Sequence, residues 1–224
     1  CFGIAAGWIL FTVVCYAVIL IGGFVKDIGR GDMTVSLTHF TAGFGFEWGA
    51  RGPLFTGSAW DSFFTTIEVA AVAAPLTAVI GLLAAYVITR HRFVGRRSFE
   101  FLTMVSFAIP GTVIGVSYIV AFNVPPLELT GGMLILVLCF VFRNMPVGVR
   151  AGIAALAQID RTLDEASATL RASTSRPLRE VIVPLLRPAI LATLVFSFTH
   201  AMTAVSAIIF LATAKYNLAT VYII

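Results

Sequence analysis

Three ionisable residues lie inside long apolar runs of the sequence: Glu68, Arg143 and His200. A charge is costly in an apolar environment, so such residues are candidates for binding or passing a solute. A simpler interpretation stays open, because Glu68 and Arg143 can each extend towards a polar boundary. No Gly-x-x-x-x-Gly-Lys-Ser/Thr, His-Glu-x-x-His or Ser-His-Asp signature accompanies them. The chain is therefore not expected to be an enzyme or to hydrolyse ATP itself.

Small and polar residues recur in the same runs. Thr199, Thr203 and Ser206 follow the helical spacing i, i+4, i+7 beside His200, which predicts interhelical hydrogen bonds or the lining of a translocation path. We expect this face to point into a helix bundle. A second group predicts close helix packing around a proline kink, or a hinge. Its members are Pro110, Gly111, Gly115, Arg143, Asn144 and Pro146.

A polar stretch, residues 158–187, separates two apolar runs. Asp160 can cap a helix that has Asp164 and Glu165 in its first turns. Pro177 can open a second helix, which is predicted to end against Pro184. The pattern predicts two short helices at an angle, outside the apolar runs. From the residues alone, an amphipathic hairpin on lipid headgroups remains one interpretation.

The elements that carry these residues are apolar helices. Of 224 residues, 59% are hydrophobic and 12% charged, against about a quarter charged in soluble domains. Runs of bilayer length predict an all-α, polytopic transmembrane helix bundle of five complete helices and the start of a sixth. The predicted helices are 3–25, 62–88, 99–122, 131–149 and 188–212, and a new run begins at 221. Three scattered cysteines predict no disulfide, metal site or cofactor.

The basic residues predict the orientation of the helices. Four arginines lie in the turn 89–98 and seven in the segment 143–187, whereas the turn 123–130 has none. Cytoplasmic segments carry the excess of Lys and Arg, so the N-terminus and both arginine-rich segments are predicted to be cytoplasmic. Nucleic-acid binding is not predicted, because no basic patch is interleaved with aromatic residues.

The polar stretch resembles the EAA loop of binding-protein-dependent ABC transporter permeases. That pattern is Glu-Ala-Ala, three residues, Gly, nine residues, Ile, one residue, Leu-Pro. Glu165, Ala166 and Ser167 occupy the first positions, and the remaining spacing is kept. The other matched positions are Arg171, which replaces the Gly, Val181, Val183 and Pro184. Arg171 is the largest departure and concerns the bend between the two helices.

The resemblance implies the permease subunit of an ATP-driven importer in the bacterial inner membrane. The loop would dock on two copies of an ATP-binding subunit, with Glu165 as charged anchor and Ala166 and Ser167 as the small face. Arg143 and Asn144 would then be able to lock the fourth helix to the loop. The other implied partners are a periplasmic or lipid-anchored binding protein, a second permease half and membrane lipid.

The stretches 107–118 and 140–152 narrow the resemblance to iron(III) permeases, in which two halves are fused. This chain, residues 1–224, is then expected to be a fragment from the C-terminal half. Permeases for 2-aminoethylphosphonate, putrescine or thiamine are the alternatives. A secondary transporter or channel is a more remote one, because it predicts more buried charges than Glu68 and His200.

The orientation can be tested with a Ser175→Cys substitution. The charge pattern predicts that this thiol is cytoplasmic, so it should resist a membrane-impermeant thiol reagent in intact cells and react after permeabilisation. The parent chain supplies the background from the native cysteines. Rapid labelling of Ser175→Cys in intact cells would reverse the orientation.

Overall fold

The computed structural model describes residues 2–27, 29–41, 43–49, 52–159 and 181–223. It divides into two compact units, Cys1–Asp61 and Ser62–Ile224. Most of the loop predicted to couple to an ATPase lies outside the described residues, namely 160–180. The conformations predicted for that part of the loop therefore stay predictions.

The first unit joins one long helix to two small hairpins. Helix α1, Phe2–Phe24, confirms the first predicted helix, and its side chains are almost all exposed. Strands β1, Val25–Asp27, and β2, Asp32–Val35, pair antiparallel. After a helical turn, Thr38–Thr41, strand β3, Gly45–Gly49, pairs antiparallel with β4, Gly52–Thr56. Neither hairpin was predicted from the sequence.

Local contacts explain why these short strands form. The Trp60 indole donates a hydrogen bond to the carbonyl of Gly45, at 3.0 Å. The same ring packs edge-on against Phe44 and Phe55, with centroids 5.0 and 4.8 Å away. In the other hairpin, the Thr34 hydroxyl and amide donate to Asp32, which lowers the pKa of that carboxyl.

The second unit contains the remaining long helices. They are α2, Ser58–Arg90, α3, Arg96–Ala108, α4, Gly111–Phe122, α5, Met133–Ala157, and α6, Arg187–Thr203. The turn Val183–Leu185 precedes α6, and a 3-10 turn, Ile208–Phe210, and a short helix, Ala219–Tyr222, follow it. The predominantly helical membrane fold is confirmed.

Three predicted boundaries were wrong. The helix predicted at 99–122 is two helices, α3 and α4, which meet at a bend of 109°. The break falls at Ile109 and Pro110 because proline disfavours the helical conformation in the residue before it. Helix α5 continues past Val149 to Ala157. Helix α6 ends at Thr203 rather than at 212, because the next residue, Ala204, is extended.

A fourth correction concerns Pro184, which was predicted to terminate a helix. It lies inside the helical turn Val183–Leu185. Proline is tolerated in a first turn, because the amide that it lacks would have no intrahelical acceptor there.

Glycines set the spacing between α2, α5 and α6. A Cβ added to Gly148 would lie 3.3 Å from the Gly81 Cα and 3.0 Å from the Thr193 side chain. A Cβ on Gly152 would meet Ala85, one turn further along both α2 and α5. Helices α2 and α5 therefore run parallel and very close together, as small residues permit in membrane bundles.

The parallel course of α2 and α5 determines the path between them. Both helices end on the same side, where the Arg90 guanidinium donates to the carbonyl of Ile159, at 3.2 Å. The chain must therefore cross back before α5 begins, and α3 and α4 together make that return. Helix α6 runs opposite to α5, since Thr193 lies beside Gly148 and Ser197 beside Asn144.

Three described helices, α1, α2 and α5, are long and apolar enough to cross a membrane alone, or four if the bent α3–α4 pair is one span. Helix α6 has 17 residues. The predicted number of five complete spans therefore stays a prediction, whereas the multi-pass membrane character is confirmed. Two of these helices contain a proline in their interior, Pro75 in α2 and Pro146 in α5.

A Gly148→Leu substitution should destabilise the bundle. The larger side chain has no space between Gly81 and Thr193, and overpacking costs about 1–3 kcal/mol. The melting temperature of the detergent-purified protein should fall by several degrees. Gly7→Leu is the control, since nothing lies within 4 Å of that position. Equal melting temperatures for the two variants would contradict the close crossing.

Candidate functional site

Helices α4, α5 and α6 bring several of the predicted residues together. Gly111, the first residue of α4, is so close to Ser206 that an added Cβ would overlap its hydroxyl. The same Cβ would lie 2.9 Å from Arg143 Nη1. One turn further, a Cβ on Gly115 would overlap the carbonyl of Ala207. The Gly111–Gly115 pair is thus a close-packing surface for the segment after α6.

Arg143 occupies a position that the sequence did not reveal. It was predicted near the inner end of its helix, but α5 extends from Met133 to Ala157. Arg143 therefore lies about 15 Å from the start of α5 and about 21 Å from its end. The end of α5 is therefore out of reach of the Arg143 side chain. The guanidinium approaches the α3–α4 break instead.

Polar atoms without partners surround this arginine. Arg143 Nη1, Asn144 Oδ1, Ser197 Oγ and His200 Nδ1 are buried and lack a hydrogen-bond partner in the described part of the chain. The Asn144 amide donates a long hydrogen bond, 3.5 Å, to the carbonyl of Ser197. Asn144 and Ser197 are 0% and 1% exposed. Most buried polar groups in proteins are paired, so this concentration requires an explanation.

The polar stripe on α6 was predicted to face the bundle interior, but it lies on the surface of the described chain. Thr199, Thr203 and Ser206 are exposed on the described chain, and His200 is only half-buried. Both threonine hydroxyls donate to carbonyls four residues earlier, at 2.8 and 2.9 Å. Ser206 lies beyond the end of α6, so the three residues do not form one helical face.

The exposed threonines adjoin an exposed face of α2. A groove of about 380 Å³ lies between the two helices and is lined in part by Ala71, Pro75 and Thr199. Glu68, one turn before Ala71, is exposed and has no ion-pair partner among the described residues. Because α2 and α6 run in opposite directions, Glu68 and Thr203 lie on the same side of this groove.

An apolar cluster forms the opposite end of the unit. Ala85 of α2, Leu156 of α5 and Ile182 and Leu186, which follow the predicted coupling loop, are 0–4% exposed and pack together. These four residues could not be predicted as a cluster, because single apolar residues within apolar runs have no distinguishing pattern in the sequence. The cluster ties the exit of the loop to α2 and α5.

The predicted coupling residues fall almost entirely outside the described part. Residues 160–180 contain Asp164, Glu165, Ala166, Ser167 and Arg171. Of the remaining two, Val181 is exposed and Pro184 is half-buried. In the described ranges, no group of three or more His, Cys, Asp and Glu side chains is placed to hold a metal ion.

Comparison with known proteins identifies related chains. Residues 77–221 match the family model of the binding-protein-dependent transport system inner membrane component. The ferric transport system permease protein FbpB of Actinobacillus pleuropneumoniae is 45% identical over 217 residues, which are 97% of this chain and 30% of that protein. A putative FbpB of Haemophilus influenzae is also 45% identical, over 98% of this chain and 34% of its own length. The chain thus spans about a third of these relatives.

More distant matches extend over shorter segments or share only the fold. The sulfate transport system permease protein CysT of Salmonella typhimurium is 30% identical over 161 residues, 67% of this chain and 58% of that protein. A solved bacterial ABC transporter that imports the acidic polysaccharide alginate matches 99% of this chain and 78% of its own, with a TM-score of 0.66 and 15% identity.

The groove between α2 and α6 gives a test of water access. We expect Thr203→Cys, in a background with all three native cysteines, Cys1, Cys15 and Cys139, replaced by Ala, to react with a small cationic thiol reagent about tenfold faster than Val120→Cys. Val120 is 69% exposed within an apolar helix, and a thiol in apolar surroundings stays protonated and unreactive. Equal rates would show that the groove faces lipid.

Proposed function

This chain belongs to the family of inner membrane components of binding-protein-dependent transport systems, and from that premise we propose that it is the permease part of an ATP-driven importer of ferric iron. The family match over residues 77–221 carries the proposal, because it includes α5, α6 and the loop between them. The chain is accordingly a multi-pass protein of the inner membrane.

Sequence identity favours iron over the other cargoes. Identity to the two ferric permeases is 45% over nearly the whole chain. A putative 2-aminoethylphosphonate permease of Salmonella typhimurium, PhnV, is 28% identical over 65% of the chain. By the same measure sulfate, whose permease CysT is 30% identical over 67% of the chain, ranks before 2-aminoethylphosphonate, and the same membrane architecture would serve either cargo.

We further propose the partners of such an importer. Two copies of a separate ATP-binding subunit would dock on the loop at 160–180 and supply the ATP hydrolysis. A substrate-binding protein would deliver the cargo from outside. The chain would be part of the C-terminal half of a longer permease in which two halves are fused, and the other half would complete the pathway.

The cluster of Ala85, Leu156, Ile182 and Leu186 suggests how movement of the loop would reach the helices. Ile182 and Leu186 are buried against α2 and α5 immediately after the loop. Buried side chains at native packing density transmit displacement rather than absorb it. Closure of the ATPase subunits on the loop would therefore shift α2, α5 and α6 together.

The face formed by Glu68, Thr199 and Thr203 is the proposed wall of the translocation path. An exposed carboxylate about 15 Å along α2 from Ser58 would be costly against lipid hydrocarbon. Contact with water or with the second permease half removes that cost. This face would then line the pathway together with the second permease half.

A Glu165→Ala substitution tests the coupling role within the importer. We expect it to abolish or strongly reduce ATP-dependent uptake of radioactive ferric iron and co-purification of the ATPase subunit, because a partner cation would lose its counter-charge at a cost of about 2–5 kcal/mol. Insertion of the helices should be normal, since residue 165 lies in a polar stretch outside the apolar runs of the sequence.

Glu100→Ala is the matched control. Glu100 lies near the start of α3, on the side of the unit where α2 ends, and has no ion-pair partner in the described ranges. This variant should transport normally. Wild-type uptake and co-purification in Glu165→Ala would remove the coupling role, because a headgroup-bound hairpin tolerates the loss of an acid.

A further inference from the structure

Arg143 is a cation in the middle of an apolar bundle with no described counter-charge. It lies about 15 Å along α5 from Met133. Both ion pairs in the described part of the chain lie in the β1–β2 hairpin, and neither involves Arg143. Buried Nη1 also lacks a hydrogen-bond acceptor there. An unpaired intramembrane charge is a functional candidate by default.

The helix beside Arg143 adds positive potential at the same point. Helix α4 starts at Gly111, and its first intrahelical hydrogen bond runs from the Ile114 amide to the Pro110 carbonyl, at 3.1 Å. The three preceding amides have no such acceptor, and no side chain caps them. Arg143 Nη1 lies 2.9 Å from the Cβ position of Gly111. A helix N-terminus and a guanidinium both favour an anion.

Neighbouring polar groups continue the site onto α6. Ser197, 1% exposed, has an unpartnered hydroxyl, and His200 has an unpartnered Nδ1. Ser206 approaches the same side of Gly111 as the guanidinium. The Ser197 and Ser206 hydroxyls can donate hydrogen bonds, and none of the named neighbours is a carboxylate. The unpartnered Oδ1 of Asn144, the next residue to Arg143, can only accept.

We propose that Arg143, the first amides of α4 and the hydroxyl groups beside them bind an anionic oxygen group of the cargo, a phosphate or a carboxylate. Guanidinium matches the planar, bidentate geometry of both groups. The inference deepens the proposed import function, on which it rests for the identity of the cargo. A bare ferric ion would be repelled by this cluster, so iron would pass it together with an anionic ligand.

The direct test measures binding without transport. The complete transporter, this chain within its full-length protein together with its ATPase subunits, is purified in lipid nanodiscs. Its melting temperature is followed against inorganic phosphate, with chloride at equal ionic strength as the reference. Phosphate should stabilise the wild type, because a ligand that binds only the folded state raises its stability.

Two variants and a control identify the residue. Arg143→Gln should weaken phosphate binding roughly 30-fold or more. The phosphate affinity of Arg143→Lys should lie between those of the wild type and Arg143→Gln, since lysine keeps the charge but not the bidentate geometry of the guanidinium. Arg150→Gln should match the wild type. Arg150 is an exposed arginine on the same helix, and its Nε contacts the Met104 sulfur at 3.3 Å. If Arg143→Gln does not fold, the phosphate-dependent rise in the melting temperature of Arg143→Lys is compared with that of the wild type instead.

The outcomes separate this inference from the import function. No phosphate-specific stabilisation of the wild type, or equal stabilisation of wild type and Arg143 variants, overturns the anion site. Uptake of doubly labelled iron and phosphate by proteoliposomes is the second measurement. Joint entry of both labels supports both proposals, and entry of phosphate alone supports the anion site while removing iron as cargo. Entry of iron without phosphate or a carboxylate chelator overturns the anion site.

Discussion

The close crossing of α2, α5 and α6 at Gly81, Gly148 and Thr193 is the constraint on which the second unit depends. Lipid chains are as apolar as leucine side chains, so helices in a membrane gain little from hydrophobic burial against each other. Contact between backbones replaces that gain, and it requires residues without bulk at the crossing. The parallel course of α2 and α5 follows from this contact, and with it the return path through α3 and α4.

Close packing of the helices also explains why polar groups can exist inside the unit. Asn144 and Ser197 are held against each other because α5 and α6 approach at Gly148 and Thr193, about one turn away. The break before Gly111 lets the start of α4 approach Arg143. Thus a proline, a glycine and an arginine that are separate in the sequence form one polar centre within an apolar bundle.

Much of the fold could be predicted from apolar run lengths. The run at 3–25 gave α1 nearly to the residue, because nothing but length determines a helix whose surface is exposed. The single helix predicted at 99–122 was wrong because hydropathy contains no information on the direction of the helix axis. A bend of 109° leaves the apolar composition unchanged. The α5 boundary failed because Arg150 was taken as the start of a loop, whereas an exposed arginine is compatible with a helix that leaves the apolar region.

The candidate functional residues likewise divide into those that could be predicted from the local sequence and those that could not. The glycine pair at 111 and 115 was predicted as a packing surface or a hinge, and the close approach to Ser206 and Ala207 favours the packing surface. The stripe on α6 is not a single helical face, because its third member, Ser206, lies beyond the end of the helix. The apolar cluster at Ile182 and Leu186 left no trace in composition. Whether a residue belongs to a shared face or a packed cluster depends on neighbours that are remote in the sequence. The periodicity of a single helix contains no information on those neighbours.

The two intrahelical prolines have a mechanical consequence for the bundle. Pro75 and Pro146 each remove one hydrogen bond from the ladder of a helix. The crossings at Gly81 and Gly148 place the two prolines within about one turn of the same depth. A helix bends most easily where a hydrogen bond is missing, and in the adjacent, parallel helices α2 and α5 these points lie at about the same depth. Helices α2 and α5 are therefore expected to bend most easily at this depth, so that a displacement of one end of the pair would tilt the other end.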